Sequence, residues 1–498
     1  MSAAPNALFF SENSPTVAPL PRNGTLHHHP GLNWVEPVRD VNGIAAPAQE
    51  ALLIGRHDRY RAGDLLMSQA VSRLCHFSRV RCAGLVASDQ TPWGGHAVRN
   101  FGESALEMGG SGLQLVHVGG DLLGIDLITA YGSTVEGDEQ ERFENLLQFR
   151  CRTELTNFVR RRSGQTGELA YVLAPEGDFS NSRASFHAVG LAEPEKLDDA
   201  TREQLLATLR AASFVGVRDE NGAEYLEAAG VPVERMPCAL SVLPQACARP
   251  LREARDRAPL AAMRARFPNG WIAVEVSRIA PADQNRLIEA LRQVSSDQNL
   301  GLVFFYNEEP QRTEAIASLR TWADAYPEWQ AAVFPSKNIW DVASLLLHAR
   351  LYCGSSVSCR VIAMSGGVAR INVPDGTAEA RSYGELWEHD AVPIEFAPEE
   401  NWAEALSEAL AVDLIELRTH AAWLHRRYFA SFGRFCRATG LTPVLAPVEK
   451  QTDHVQAVQD FASNQALTPE SVGMGSRTAA SRSFVRTRAK QILGGFLL

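Results

Sequence analysis

Residues 51–75, ALLIGRHDRYRAGDLLMSQAVSRLC, decide the fold. Ala51 to Ile54 form a short apolar run that stops at Gly55, RHDRYRAGD is a charged loop, and LLMSQAVSRLC spaces its apolar residues as a helix does. A buried strand, a polar loop and a helix in that order make the first part of a βαβ unit, which predicts a parallel sheet.

Working outward, the pattern recurs. VRCAGLVAS (80–88), LQLVHVGGDLLG (113–124), ELAYVLAPEG (168–177) and ASFVGVRD (212–219) read as strands, with helical stretches such as residues 139–162 among them. After residues 230–244 a charged stretch, ARPLREARDRAPLAAMRARFPNG (248–270), reads as a linker helix, and a second series begins. It runs through strands GWIAVEVSR (270–278), LGLVFFYNE (300–308), WQAAVFP (329–335), RLYCGSS (350–356) and VARINV (368–373), with helical segments between them. Alternation of this kind predicts a largely parallel α/β fold with helices on both faces. The expectation is two Rossmann-like domains facing a cleft, over residues 49–250 and 251–445, the second with closing helices. Residues 1–48 read as a flexible extension and 446–498 as a polar, basic tail.

Bulk properties limit the function. The 498 residues are 45% hydrophobic and 21% charged, a globular composition. No apolar run approaches the ~20 residues needed to span a bilayer. A net charge of -10 argues against general affinity for nucleic acid, which needs a basic face. Eight cysteines without a C-x-x-C spacing fit reduced thiols, and the triplet His27, His28 and His29 is too extended to converge on one ion, so no metal is expected. The N-terminal residues lack a basic leader followed by an apolar stretch, which places the chain in the cytoplasm. The C-terminal mix of Arg477, Arg482, Arg486, Arg488 and Lys490 with Phe484, Ile492 and Phe496 suits weak contact with the inner face of a membrane.

In open α/β sheets ligands bind beyond the carboxyl ends of the strands. Three glycine-bearing loops fall there: Gly63-Asp64, Gly119-Gly120-Asp121 and Gly354-Ser355-Ser356. None is a dinucleotide fingerprint or a P-loop, so no nucleotide cofactor is indicated.

In order and context these loops resemble the polysaccharide pyruvyl transferase family over residues 51–375. RAGDLLMSQAV (61–71), VHVGGDLLG (116–124) and FVGVRDENGAEYLEAAGVP (214–232) are similar to its blocks, the last most specifically. VEVSR (274–278) looks like its strand ending in Arg, which puts Arg278 at a strand end as an anion contact. CGSSVSCRVIAMSGGVA (353–369) looks like its Gly-Ser-Arg-x-His block, but the Arg falls on Ser356, the His on Ser358 and the closing Pro on Ala369. The family's Asp-Pro is replaced by Pro237-Cys238-Ala239.

The resemblance implies transfer of a pyruvyl group from phosphoenolpyruvate to a sugar or lipid-linked saccharide acceptor, with no further cofactor. Such a donor asks for cations on its carboxylate and phosphate and an acid for its methylene carbon. Arg278 and His187 are the catalytic candidates. Lys337, in the FPSKN loop, and Ser358 join the three glycine loops as substrate contacts. Arg218 and Asp219 read as a local pair and cap, His117 as a core histidine, Arg360 as pointing away and Cys359 as a packed thiol. Two other readings follow from the same residues: a catalytically inactive binding homologue, because Ser356 and Ser358 carry no charge, and a nucleotide-sugar glycosyltransferase on the same two-domain plan.

Overall fold

The apolar run that ends at Gly55 is the first strand of a computed structural model that describes residues 49–109, 112–191, 194–275, 281–308, 330–375, 377–397 and 399–444. The expected N-terminal extension with its histidines, the C-terminal tail and Arg278 lie outside the described residues.

The first sheet is built from β1 (Gln49–Ile54), β2 (Cys75–Gly84), β3 (Ser88–Asp89), β4 (Ala97–Asn100), β5 (Gln114–Val118), β6 (Arg183–Val189), β7 (Phe214–Val217) and β8 (Glu234–Arg235). Their order is β3-β4-β2-β1-β5-β6-β7-β8, parallel throughout except for the edge pair β3–β4. β1 is central: Leu53 aligns with Cys82 on one side and Val116 on the other. The second sheet contains β9 (Trp271–Glu275), β10 (Gly301–Phe305), β11 (Ala331–Val333), β12 (Leu351–Gly354) and β13 (Ala369–Asn372), all parallel in the order β11-β10-β9-β12-β13. A short β14 (Thr442–Pro443) returns antiparallel to β2. Both sheets therefore wind outward from a central strand in two directions, and the reversal lies between β1 and β5 in one and between β9 and β12 in the other. These are the two Rossmann-like sheets expected from the alternation. Crevices at such reversals are where α/β folds bind ligands.

Strands this apolar are buried on both faces. One core, with Leu53, Val116, Leu65, Ala273, Val303, Tyr352 and Ile362, is shared by residues from both series, while separate cores cover the outer faces of each sheet. The 26-residue helix Leu414–Thr439 packs on β6, β7 and β14 and also on the helix Val357–Ser365. In the second series Glu388 is clamped between two fully buried guanidinium groups, Arg360 and Arg370. Arg360 also donates to Asn372 Oδ1 at 2.9 Å and Ile394 O at 2.6 Å, so it points away from the β12 loop, as its place on the helix predicted.

Residues 168–177 are not a strand. Gln165 Nε2 donates to the carbonyls of Leu169, Ala170 and Val172 at 2.8–3.1 Å, and Leu173 N–H donates to His117 Nε2 at 3.0 Å. Side chains thus satisfy a buried backbone that a sheet ladder would otherwise have to satisfy. The strand beside β5 is Arg183–Val189 instead. Among the described residues no helix is long and apolar enough to cross a membrane.

Candidate functional site

Loops from the carboxyl ends of β1, β5, β7, β10, β12 and β13 converge on one polar cleft, a cavity of about 70 Å³. It is lined by Arg56, Arg61 and Asp64 after β1, Gly120 and Asp121 after β5, Arg218 after β7, Asn307 and Glu308 after β10, Ser355, Ser356 and Ser358 after β12, and Glu379 after β13. The three glycine loops singled out in the sequence, at Gly63, Gly119 and Gly354, meet here because each follows a strand at or beside a reversal point.

The helix Ala62–Leu74 starts at this cleft. Ala62 N–H donates to the Asn307 carbonyl at 2.8 Å, a backbone bond between the two series. Gly63 is required for space, since a Cβ there would lie 2.2 Å from Ser358 Oγ. Asp64 is buried, and its Oδ1 accepts the Gly120 N–H at 3.3 Å. Burial alone would raise its carboxyl, but Arg56 at 4.0 Å and Arg61 at 3.9 Å hold it below the usual range.

Gly119-Gly120-Asp121 is tied to Gly190 through Gly190 N–H to Gly120 O at 2.8 Å. A Cβ on Gly120 would lie 3.0 Å from the Arg218 guanidinium, so the glycine lets that cation pass. Arg218 is nearly fully buried and pairs with Asp121 at 3.2 Å and, more closely, with Glu379. Against the burial that would lower it, Glu379 and Asp121 push its pKa up and keep it charged. Its neighbour Asp219 turns the other way and caps the helix Glu220–Ala228, accepting the Gly222 N–H at 2.7 Å. Burial and the nearby Asp121 raise Asp219 to about 6. The ValArgAsp block therefore splits: Asp219 is the local cap that was expected, while Arg218 is a cleft cation that sequence reasoning set aside.

Ser356 caps the helix Val357–Ser365; its Oγ lies 3.1 Å from Ser358 Oγ and accepts from Asn307 Nδ2 at 2.9 Å. Buried Glu275 accepts the Ser355 N–H at 3.1 Å, the Ser355 hydroxyl at 3.2 Å and the Ser356 N–H at 3.2 Å. A protein carboxylate thus already holds the amides that precede this helix. Gly354 makes the fit possible, because a Cβ there would lie 2.5 Å from Glu275 Cβ.

Two expected site residues are placed elsewhere. His187 lies inside β6 under the helix Leu414–Thr439, with Tyr428 Oη 3.0 Å from its Nε2 and Phe435 edge-on at 5.0 Å. Burial lowers it to about 4, so it is a neutral core side chain and not a cleft acid. Lys337 does not line the cleft either. It follows edge strand β11, away from the β9/β12 reversal, and its Nζ stands 5.6 Å from the Trp93 ring. His117 is a satisfied core histidine, with Nδ1 2.9 Å from the Ser185 carbonyl. Cys359 is fully buried and its thiol is pushed well up by that burial, as befits a packed residue.

Although positions 356 and 358 carry no cation, the cleft holds Arg56, Arg61 and Arg218, each facing a carboxylate: Asp64, Glu308 with Asp64, and Asp121 with Glu379. A ligand carboxylate or phosphate that displaces Glu308 or Glu379 finds a bidentate guanidinium behind it. Among the described residues no group of histidine, cysteine or acidic side chains is arranged to hold a metal ion.

The family described as "Polysaccharide pyruvyl transferase" matches residues 87–367, more than half of the chain. No curated protein matches. Among solved structures, the chain is similar to an α,α-trehalose 6-phosphate synthase from Burkholderia multivorans (TM-score 0.42, 11% identity, covering 84% of this chain and 100% of that one). It is also similar to the UDP-GlcNAc 2-epimerase of Methanocaldococcus jannaschii in complex with UDP-GlcNAc and UDP (TM-score 0.44, 10% identity, covering 74% and 94%). Likeness at these values says nothing about what this chain binds.

Proposed function

The chain belongs to the polysaccharide pyruvyl transferase family, and on that premise we propose that it is a transferase moving the pyruvyl group of phosphoenolpyruvate to a sugar of a cell-surface polysaccharide or its lipid-linked precursor. The observation that carries this reading is the convergence of Arg56, Arg61 and Arg218 on one cleft at the reversal points of two parallel sheets. Phosphoenolpyruvate presents a carboxylate and a phosphate, and guanidinium groups are the side chains best matched to both.

In this reading Arg218 and Arg61 take the two anionic groups as Glu379 and Glu308 swing aside. Protonation of the donor's methylene carbon makes it a methyl group and leaves positive character at C2. A sugar hydroxyl adds there and loses its proton, phosphate departs with its bonding pair, and a second hydroxyl of the same sugar adds to the cation so formed and gives up its proton, closing the ketal. The cleft contributes no histidine among its described residues, so its acid and base groups are Asp64, Asp121, Glu308 and Glu379.

A second reading, a binding homologue without turnover, is favoured by the carboxylates themselves. Glu275, Glu308 and Glu379 fill the positions a donor anion needs, and about 70 Å³ holds a few waters and no donor. Calorimetric titration with phosphoenolpyruvate, followed by phosphate release in the presence of saccharide acceptors, separates the two. Binding and turnover that vanish in Arg218→Ala support the transferase. Absence of binding in both the natural protein and Glu379→Gln overturns it.

A further inference from the structure

A second and larger cavity, about 530 Å³, opens beyond the carboxyl ends of β2 and β4. That volume is in the range of small-molecule sites. Its wall is shared with the cleft: one loop, residues 56–61, sends Arg56 and Arg61 to the cleft and Asp58, Arg59 and Tyr60 to this cavity. Its other residues come from the β2–β4 region, from Tyr131 to Glu139 around the start of the helix Gly137–Phe149, and from Arg162.

The lining is chemically distinct from the cleft. Trp93 presents an indole that is 38% exposed, with Tyr60 edge-on at 6.3 Å and Lys337 Nζ 5.6 Å from its ring. The indole sits on a fixed turn: Gly94 adopts φ 85°, and Gln69 Nε2 donates to the carbonyls of Gly94 and Gly95 at 3.0 and 3.1 Å. On the floor, Asp58 is anchored by the Leu85 N–H at 2.6 Å and the Tyr171 hydroxyl at 3.1 Å. Glu136 and Glu139 complete the acidic side. Both arginines are engaged, Arg59 with Ser133 Oγ at 2.6 Å and Arg162 with Glu139 at 3.5 Å.

Arg59 and Arg162 do not outnumber Asp58, Glu136 and Glu139, so the lining carries no excess positive charge to draw an anionic ligand. An exposed indole in one cavity with three carboxylates suits a ligand with one apolar face and a ring of hydroxyl donors. Aromatic rings bury the C–H face while carboxylates accept from adjacent hydroxyls. We propose that this cavity binds an uncharged pyranoside and is where the acceptor saccharide is held, next to the cleft across the 56–61 loop. Its role as the acceptor's seat rests on the transferase reading; its chemistry does not.

The test is calorimetric titration of the whole protein with four probes: the methyl glycosides of glucose, galactose and mannose, and N-acetylglucosamine. Binding of at least one is expected, weakened about tenfold in Trp93→Ala through loss of the aromatic face. Glu136→Gln, at an exposed position that leaves the fold intact, is expected to weaken it as well and serves if Trp93→Ala unfolds. Failure of all four probes to bind, or undiminished binding in the folded variants, overturns the assignment. Phosphoenolpyruvate is titrated separately: glycoside binding without donor binding leaves the cavity standing and removes the transferase reading, and the converse removes only the cavity.

Discussion

The Arg218 guanidinium, just beyond β7, donates to Glu379, 161 positions later at the start of the helix Glu379–Trp387. Freeing this cation tests whether the cleft binds anions by exchange. In Glu379→Gln the amide keeps the shape and loses the charge, so Arg218 is left to a ligand. Affinity for inorganic phosphate or phosphoenolpyruvate, read by calorimetry, should rise about tenfold, the worth of one charge-assisted contact.

The buried clamp on Glu388 sets the acid limit of the second sheet. Burial alone would raise this carboxyl, but Arg370 and Arg360 outweigh it and hold it at about 2, below its ordinary 4.5. A depressed carboxyl stabilises the fold above pH 4.5, and that stability is lost as pH falls through 4.5 toward 2. Glu388→Gln should cost about 3–5 kcal/mol at pH 7, because two buried arginines lose their counter-charge. Its urea midpoint should then depend less on pH between 4.5 and 2 than that of the natural protein.

Asp219 behaves oppositely. Its pKa of about 6, raised from 3.8, means the folded state holds the proton more tightly than the unfolded chain does. Stability therefore falls as pH rises from 3.8 to 6 and is level above. Asp219→Asn keeps the cap oxygen for the Gly222 N–H and removes the titration. Urea unfolding at several pH values across that window should show a flatter profile in the variant.

Gly55 closes the first strand because nothing larger fits: a Cβ there would sit 2.1 Å from the Val118 carbonyl oxygen. Gly55→Ala should cost about 1–3 kcal/mol as β1 and the end of β5 are forced apart. Chemical denaturation measures this. Since the 56–61 loop begins at this residue, weaker binding in the cleft should accompany it.

Alternation of apolar runs made both sheets legible, and glycine after a strand made three of the cleft's loops legible. The glycines themselves are explained by neighbours the sequence does not reveal, Ser358 against Gly63 and Glu275 against Gly354. Within RHDRYRAGD nothing local separates Arg56 and Arg61, which face the cleft, from Arg59, which faces the other cavity. Arg218 was read as a local partner because its true partners, Asp121 and Glu379, are 97 and 161 residues away. His187 was misplaced for a similar reason: the helix that covers it begins at Leu414, beyond any local pattern. Residues 168–177 carry a strand's composition, yet Gln165 takes up the hydrogen bonds that would have made them one.

The Ala62 to Asn307 bond, with Arg61 and Glu308 paired beside it, fastens the two series at the mouth of the cleft. A clamshell opening has to break that seam before any wider motion begins. Ligand exchange by side-chain swing alone breaks the Arg61–Glu308 pair but leaves the Ala62–Asn307 bond closed, and such swings are far faster than domain movements. With that backbone bond closed, the exchange proposed for the cleft asks only for side-chain movement of Glu308 and Glu379.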